Sequence, residues 1–177
     1  MLRQQGSATW LLLVTSLPGN HGALRLRFWR ALKATGAAVL RDGVYLAPAV
    51  DGVRAVFDDQ AGEIVASGGS AFVLNIPELP ERDAPALTAL FDRSTQYETL
   101  VEAAGDFARD IANKNEIEAR RALRQLTREF LQLEATDFFP AQARDDAKAA
   151  VTAAEQALTS CFSPDEPTSV HASVPRL

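Results

Sequence analysis

Apolar residues in the first eighty positions follow patterns that predict a short series of strands and helices. Residues 10–17 (WLLLVTSL) form a continuous apolar run, which is typical of an interior strand buried on both faces. Residues 21–35 place apolar side chains at the spacing of one helix face, with Asn20 as the N-cap and Gly36 where a glycine commonly ends a helix. Residues 37–48 predict a hairpin with a type I′ turn at Asp42-Gly43, because both central residues of that turn need positive φ.

The next two segments complete the order of a known motif. Residues 51–67 predict a second helix, and residues 71–76 (AFVLNI) predict a further strand that Pro77 ends. Strand, helix, hairpin, helix and strand in this order indicate a ferredoxin-like βαββαβ unit. Both helices of such a unit cover one face of the sheet, so we expect another segment or a partner to cover the other face.

Residues after position 80 show helical spacing. Residues 86–111 predict a helical stretch with an irregularity near Ser94-Thr95, and residues 116–135 predict a helix with an a/d-like apolar seam. A last helix runs from Pro140 to about residue 162 and forms an antiparallel hairpin with its predecessor. The predicted fold class is α+β, a ferredoxin-like unit followed by a helical C-terminal extension. The expected divisions are a ferredoxin-like domain at 8–80, a helical region with the helix hairpin at 81–162, and a flexible tail at 163–177.

Composition narrows the class of protein. The 177 residues contain a single cysteine, Cys161, so no disulfide forms within the chain, and a lone thiol favours a reducing, cytoplasmic location. No apolar run approaches the roughly 20 residues that a membrane-spanning helix needs, so we expect no membrane contact. The formal net charge of −5 argues against nucleic-acid binding over the whole surface. The charge is uneven, because residues 1–80 hold 7 basic and 6 acidic side chains while residues 81–177 hold 11 and 17.

Candidate catalytic groups are scarce. The sequence has two histidines, His21 and His171, and it lacks Gly-rich phosphate motifs and Cys/His metal sets, so we expect no enzyme, no cofactor and no metal. Ferredoxin-like nucleases related to a small CRISPR-associated subunit place an acidic residue just after the first strand. Residues 15–20 (TSLPGN) contain no carboxylate, so that activity is not supported even where the fold is shared.

A basic stripe on the first predicted helix is the sharpest local feature. The stretch 21–41 carries five cations and no acid, and helical spacing spreads four of them over the side away from Leu24 and Phe28. Such a stripe can contact phosphates, although a solvated helix face is the simpler interpretation. Trp29 either stacks on a base or ligand, or packs at a domain interface. The candidate nucleic-acid-binding residues are Arg25, Arg27, Arg30, Lys33 and Arg41, the last of them at the hairpin tip.

A second basic ridge lies on the predicted helix at 116–135. Three of its arginines follow at i, i+3 and i+7, and Glu116, Glu118 and Glu129 are close enough in sequence for helical ion pairing. A salt-bridged surface helix is one interpretation. An anion-binding surface is the other, because clustered guanidinium groups suit a tetrahedral oxyanion. The candidate oxyanion-binding residues are Arg120, Arg121, Arg124 and Arg128.

Several strings resemble a known family. Residues 10–18 (WLLLVTSLP), 28–35 (FWRALKAT) and especially 36–48 (GAAVLRDGVYLAP) are similar to the N-terminal domain of the chromate-resistance regulator ChrB family. Residues 90–97 (LFDRSTQY) and 137–144 (DFFPAQAR) resemble later signatures of the same domain, in the same order. This domain is in turn similar to the ferredoxin-like part of phenylacetate-pathway repressors, whose separate DNA-binding winged helix has no counterpart in this sequence.

The resemblance implies a cytoplasmic bacterial protein that takes part in chromate resistance as a chromate-responsive transcription regulator. It implies promoter DNA as a partner and chromate as a candidate ligand, and we expect a homodimer. Full-length members continue into a second domain of comparable size, so a sensing function housed there is not assigned to these residues. Three hypotheses stay open at this point: a regulatory DNA-binding module, an oligomerisation or interaction domain without DNA contact, and a chromate sensor.

Overall fold

The computed structural model of the chain describes residues 9–17 and 22–162, which form two compact units. The first unit runs to Asp92 and also contains Thr136–Phe139, and the second comprises Arg93–Ala135 and the residues from Pro140 onward. The predicted N-cap Asn20 and the predicted tail at 163–177 lie outside the described residues. The elements of the first unit are β1 (Trp10–Ser16), α1 (Gly22–Ala34), β2 (Ala38–Arg41), β3 (Val44–Pro48), α2 (Asp51–Ala66), β4 (Ser70–Ile76) and α3 (Ala84–Ala89).

The first unit is built on a four-stranded antiparallel sheet in the order β2-β3-β1-β4. β1 is an interior strand, because Trp10 lies opposite Pro48 of β3 on one side and opposite Ile76 of β4 on the other. The continuous apolar run of β1 predicts this position. With α1 and α2 as the crossovers, the arrangement is the ferredoxin-like βαββαβ motif, so the predicted α+β fold class is confirmed.

Alternate residues of β1 face the two helices. Leu11 and Leu13 are fully buried in a cluster with residues of α1 and α2. Phe28 of α1 meets Tyr45 of β3 edge to face, with ring centroids 5.4 Å apart. The alternation of the strand thus sends one half of its apolar run into this cluster. The buried members are Leu11, Leu13, Phe28, Leu32, Tyr45, Ala47, Val53, Phe57 and Ile64.

The opposite face of the sheet is covered at the Trp10 end. Trp10 and Leu46 are buried there with Leu79 and Phe91, which follow β4 in the chain. Phe139 adds a ring contact to Trp10, with the two centroids 5.9 Å apart. The expectation that another segment covers this face is confirmed at this end.

Toward its other end, the same face is open. Val14 lies opposite Val44 of β3 and opposite Phe72 of β4, and opposing residues of neighbouring strands project from one face. Leu74 follows two residues after Phe72 and shares its face. Phe72 is 61% exposed and Leu74 is 48% exposed, while Val14 and Val44 are half-buried. We call these four residues (Val14, Val44, Phe72 and Leu74) the apolar strip.

The hairpin between β2 and β3 differs from the prediction in its turn. Gly43 has a φ of +75°, whereas Asp42 has no positive φ, so the predicted type I′ turn is wrong. β2 contains one extra residue next to this turn, because Val39 pairs with Tyr45 whereas Arg41 pairs with the adjacent Val44. A Cβ at Gly43 would lie 2.4 Å from the Thr15 carbonyl oxygen, so both the backbone angle and the available space require glycine there.

The second unit consists of helices around one apolar core. Its elements are α4 (Ser94–Asp110), a 3₁₀ turn (Ile111–Asn113), α5 (Glu116–Glu134) and α6 (Gln142–Phe162). The predicted irregularity near Ser94 is confirmed, since α4 begins at Ser94. The α5 seam is confirmed as well, since Leu126 and Phe130 are buried in this core.

No helix in the described ranges is long and apolar enough to cross a membrane. The buried core residues are Tyr97, Leu100, Ala104, Phe107, Ile111, Ala119, Leu126, Phe130, Ala147, Val151, Ala154 and Leu158.

Gly43→Ala is expected to destabilise the first unit. A left-handed backbone costs a non-glycine residue about 1–2 kcal/mol, and the added Cβ also collides with the Thr15 carbonyl. We therefore expect the free energy of unfolding to fall by at least ~1 kcal/mol. Urea denaturation followed by tryptophan fluorescence measures this change, because Trp10 and Trp29 both belong to the first unit.

Gly62→Ala is the matched control for that substitution. A Cβ at Gly62 in α2 meets nothing within 4 Å, and alanine favours the helix interior over glycine by about 1 kcal/mol. This variant should unfold at a slightly higher urea concentration than the parent. A Gly43→Ala protein that unfolds at the parent midpoint contradicts the requirement for glycine in the hairpin.

Candidate nucleic-acid interface

The four cations of α1 are all exposed, and Arg27, Arg30 and Lys33 lie on the side of the helix away from the buried Phe28 and Leu32. Successive helical residues are rotated by about 100°, which places Arg25 and Arg27 about 160° apart around the axis. The predicted stripe is therefore an arc around the exposed half of α1. Arg25 and Lys33 lie toward one flank of this arc, and Arg27 lies on the other.

Arg27 is the member of the arc that has a carboxylate partner among the described residues. Its guanidinium nitrogen Nη2 lies 2.9 Å from the Glu63 carboxylate on α2. Both side chains are exposed, so the pair contributes about 0–1 kcal/mol to stability. Glu63 partly neutralises this charge, and we expect Arg27 to contribute less to phosphate binding than its neighbours.

The other predicted cations of this surface form no ion pair with a carboxylate of the described residues. The Arg25 guanidinium donates a hydrogen bond of 2.7 Å to the Leu17 carbonyl. The Lys33 ammonium lies 4.9 Å from the centre of the Trp29 ring, which is a cation–π distance. Within residues 9–17 and 22–162, no carboxylate lies at ion-pair distance from Arg25, Arg30, Lys33 or Arg41.

The β2–β3 hairpin brings Arg41 to the same cavity as Arg25. The cavity has a volume of about 650 Å³. The Thr15 N–H donates to the Gly43 carbonyl at 2.7 Å, which holds the hairpin against the end of β1. Burial, and to a lesser extent the negative charge of Asp42, raises the pKa of Tyr45, which also lines this cavity.

The arginine ridge on α5 is ion-paired in part. Arg120 donates to the Glu116 carboxylate at 2.8 Å. Glu118 accepts from the Asn115 N–H in a capping box at the start of α5, and Glu129 accepts from a neighbouring glutamine. Among the described residues, this leaves no carboxylate at ion-pair distance from Arg121, Arg124 and Arg128.

The α5 ridge is therefore salt-bridged at Arg120, while Arg121, Arg124 and Arg128 have no carboxylate at ion-pair distance among the described residues. The side chains of those three are exposed at helical spacing on one face of α5. An oxyanion site there, with chromate as its candidate ligand, remains a prediction.

Metal-binding groups do not cluster in the described part of the chain. There, no set of three or more His, Cys, Asp or Glu side chains is arranged to hold a metal ion. Cys161 is exposed near the end of α6. His21 and His171 lie outside the described residues.

Sequence reasoning missed the groups that meet where β1 ends. The pattern assigns Tyr45 to the alternation of a strand and Asp42 to a turn, and neither signal points to a site. Residues 15–17 carry no signal beyond the lack of an acid. These segments lie far apart in the chain and line one cavity after packing, so no spacing rule could have grouped them.

Comparison with known proteins identifies one family and two similar proteins. The family model described as Protein ChrB, N-terminal, matches residues 25–163. Protein ChrB of Cupriavidus metallidurans is 34% identical over 167 residues, which are 94% of this chain and 52% of that protein. The chain thus spans about half the length of this curated relative. The uncharacterized protein Rv0674 from Mycobacterium tuberculosis has a TM-score of 0.46 at 15% identity, covering 87% of this chain and 63% of its own, a likeness that supports no functional argument.

Tyr45 is expected to ionise above its ordinary pKa of 10.0. Burial and the nearby Asp42 both disfavour the phenolate. Because the pKa is higher in the folded state, the associated stability is present below pH 10 and is lost as the pH rises through the folded-state pKa. Near-ultraviolet absorbance titrations of the parent and of Tyr45→Phe measure this, since their difference isolates Tyr45.

Asp42→Asn separates the two causes of this shift. The pKa of Tyr45 should fall and still stay above 10.0, because burial is the larger cause. Asp58→Asn, at an exposed position of α2, is the control and should leave the titration unchanged. If Tyr45 titrates at or below pH 10 in the folded protein, the expectation that its surroundings disfavour the phenolate is refuted.

Proposed function

The chain belongs to the ChrB N-terminal family, and on this premise we propose that it is the regulatory DNA-binding module of a chromate-responsive transcription regulator. The family match and the 34% identity to Protein ChrB support this role. Because the chain spans about half of that relative, the proposal concerns the module and not the activity of a whole protein. The proposed role is binding and regulation without catalysis.

One observation carries the DNA-binding part of the proposal, namely the exposed cations on α1 and the hairpin that lack carboxylate partners in the described ranges. Guanidinium and ammonium groups in this state suit phosphate oxygens, and their binding releases counterions from DNA. The net charge of −5 does not oppose this, because a bound phosphate responds chiefly to the charges within a Debye length of about 8–10 Å. The residues proposed to contact phosphates are Arg25, Arg30, Lys33 and Arg41.

Arg30→Gln combined with Lys33→Gln is expected to weaken binding to promoter DNA from upstream of the encoding gene. Each lost phosphate contact lowers the slope of log affinity against log salt by about 0.9, so the double variant should lose about 1.8. The fluorescence anisotropy of a labelled promoter duplex, measured at several salt concentrations, reports both the affinity and the slope.

Arg82→Gln combined with Arg109→Gln is the matched control for this measurement. It removes the same charge from exposed arginines that each pair with an aspartate close in sequence, and it should leave the slope unchanged. Arg27→Gln should weaken binding less than Arg30→Gln, because Glu63 already pairs with Arg27. An absence of promoter binding at low salt, or equal losses in both double variants, would refute the proposed interface.

The apolar strip favours a second function, homodimerisation through the open face of the sheet. Exposed apolar patches of this kind mark interaction sites on soluble proteins. The residues of β4 that share this face are uncharged (Ser70, Phe72, Leu74 and Ile76), whereas Arg41 of β2 lies opposite Val44, so a second copy can lie against the β4 side of the strip without opposing like charges. A two-fold dimer would also present two copies of the α1 arc to two half-sites on DNA.

Phe72→Glu combined with Leu74→Glu is expected to convert a dimer into a monomer. Each copy would bring two carboxylates to the two-fold interface, where they repel those of the partner, and both positions are exposed enough to leave the fold intact. Sedimentation velocity at several concentrations measures the change. Leu131→Glu, at a leucine that is exposed to a similar extent on α5, should leave the assembly unchanged. A parent chain that sediments as a monomer at high concentration contradicts the dimer.

A further inference from the structure

The cavity where β1 ends has room for an organic ligand. Its walls come from the end of β1, the first turns of α1, the β2–β3 hairpin and Ile64 of α2. The volume of about 650 Å³ falls within the roughly 300–1,000 Å³ of small-molecule sites. It corresponds to on the order of twenty water volumes, so a single inorganic oxyanion would leave most of the space to solvent.

One part of the cavity wall is apolar and largely aromatic. The rings of Phe28 and Tyr45 contact each other edge to face, and Ile64 is buried in the same cluster. Trp29 also lines the cavity and is 43% exposed, with Lys33 over its ring. A ring-bearing ligand would find aromatic contacts here of the kind that aromatic pairs make in protein cores.

Two guanidinium groups and a phenol supply the polar part. Arg25 is oriented by its bond to the Leu17 carbonyl and retains further N–H donors. The Arg41 side chain has no hydrogen bond or ion pair with another described residue. Tyr45 is 6% exposed, and its hydroxyl has no hydrogen-bond partner in the described ranges. The described part of the protein leaves these donors unused where they line the cavity, so they can serve a ligand that accepts hydrogen bonds.

The charge of the lining selects a monoanion. Among the described lining residues, Arg25 and Arg41 contribute two positive charges and Asp42 contributes one negative charge, which gives a net charge of +1. A single carboxylate balances this charge, whereas a dianion would leave an excess negative charge next to Asp42. Asp42 also disfavours the Tyr45 phenolate, which keeps that hydroxyl available as a donor.

We propose that this cavity binds a small organic monoanion, a carboxylate carried on a ring-sized apolar body. The carboxylate accepts hydrogen bonds from Arg25, Arg41 and Tyr45. The apolar body lies against Phe28 and Trp29. A neutral apolar ligand would leave the guanidinium groups without a counterion, and sulfate or chromate would leave the aromatic wall uncovered.

Occupation of the cavity has a regulatory consequence that rests on the proposed function. Arg25 and Arg41 belong to the four cations proposed to contact DNA phosphates. A carboxylate bound to them competes with those phosphates, so the ligand lowers DNA affinity and DNA lowers ligand affinity by the same factor. The binding of the ligand itself needs no DNA.

The test is an NMR titration of the isotopically labelled chain with ring carboxylates ranging from benzoate to naphthoate. We expect the indole N–H signal of Trp29 to shift saturably. The signal of Trp10 should stay in place, because Trp10 is buried on the other face of the sheet. Trp29→Phe assigns the two signals, and calorimetry gives the affinities.

Variants separate the roles of the lining residues. Arg25→Gln combined with Arg41→Gln should weaken carboxylate binding by about tenfold or more, because two charge-assisted hydrogen bonds are lost. Tyr45→Phe should weaken it by a smaller factor, since one neutral donor is lost. Arg82→Gln combined with Arg109→Gln should leave the affinity unchanged.

Each alternative ligand gives a distinct result. If benzyl alcohol shifts Trp29 as strongly as benzoate does, the site is apolar and the anion assignment is wrong. If sulfate or chromate binds as tightly as the ring carboxylates, the proposed requirement for an apolar body in the ligand is refuted. If no ring carboxylate shifts Trp29, the site is refuted. Failure of promoter binding with carboxylate binding intact removes only the competition, so the two proposals fail separately.

Discussion

The burial of β1 on both faces is the constraint on which the first unit depends. The strand pairs with β3 on one side and with β4 on the other. Its side chains can therefore be buried only on the two faces of the sheet. Leu11 and Leu13 require α1 and α2 on one face, and Trp10 requires the cluster around Phe91 on the other. Docking against β1 also orients α1, because Phe28 must point into the core. The cations of α1 are exposed as a consequence of that orientation.

Exposure does not make these cations equivalent, because their tertiary neighbours differ. Glu63 pairs with Arg27, the Leu17 carbonyl orients Arg25, and the hairpin brings Arg41 to the cavity that Arg25 lines. A phosphate or a carboxylate therefore meets a local charge that the net charge of the chain does not describe. In both proposals the ligand contacts Arg25 and Arg41, so occupation of the cavity would release DNA without a change of fold.

Local sequence patterns predicted the helices and strands well, because the hydrogen bonds and buried positions of these elements repeat every few residues. The seam of α5 follows from apolar spacing, and in the structure a capping box of Asn115 and Glu118 fixes the start of the helix. The hairpin position follows from Asp42-Gly43. Its turn type does not, because the extra residue of β2 depends on pairing with β3 and on the approach of Gly43 to β1. A turn rule that considers two residues has no access to either contact.

The sequence by itself determined the order of the elements, the buried faces of the helices and which cations are exposed. Short segments of the sequence also showed the family resemblance. These properties depend on periodicity and on side-chain chemistry, which are local. Only the tertiary structure decided that Arg27 pairs with Glu63, 36 residues away, that Phe139 contacts Trp10, and that β1, α1 and the hairpin enclose one cavity. The physical reason is that these groups meet only after the apolar faces have packed, and the packed geometry sets each distance and each local charge.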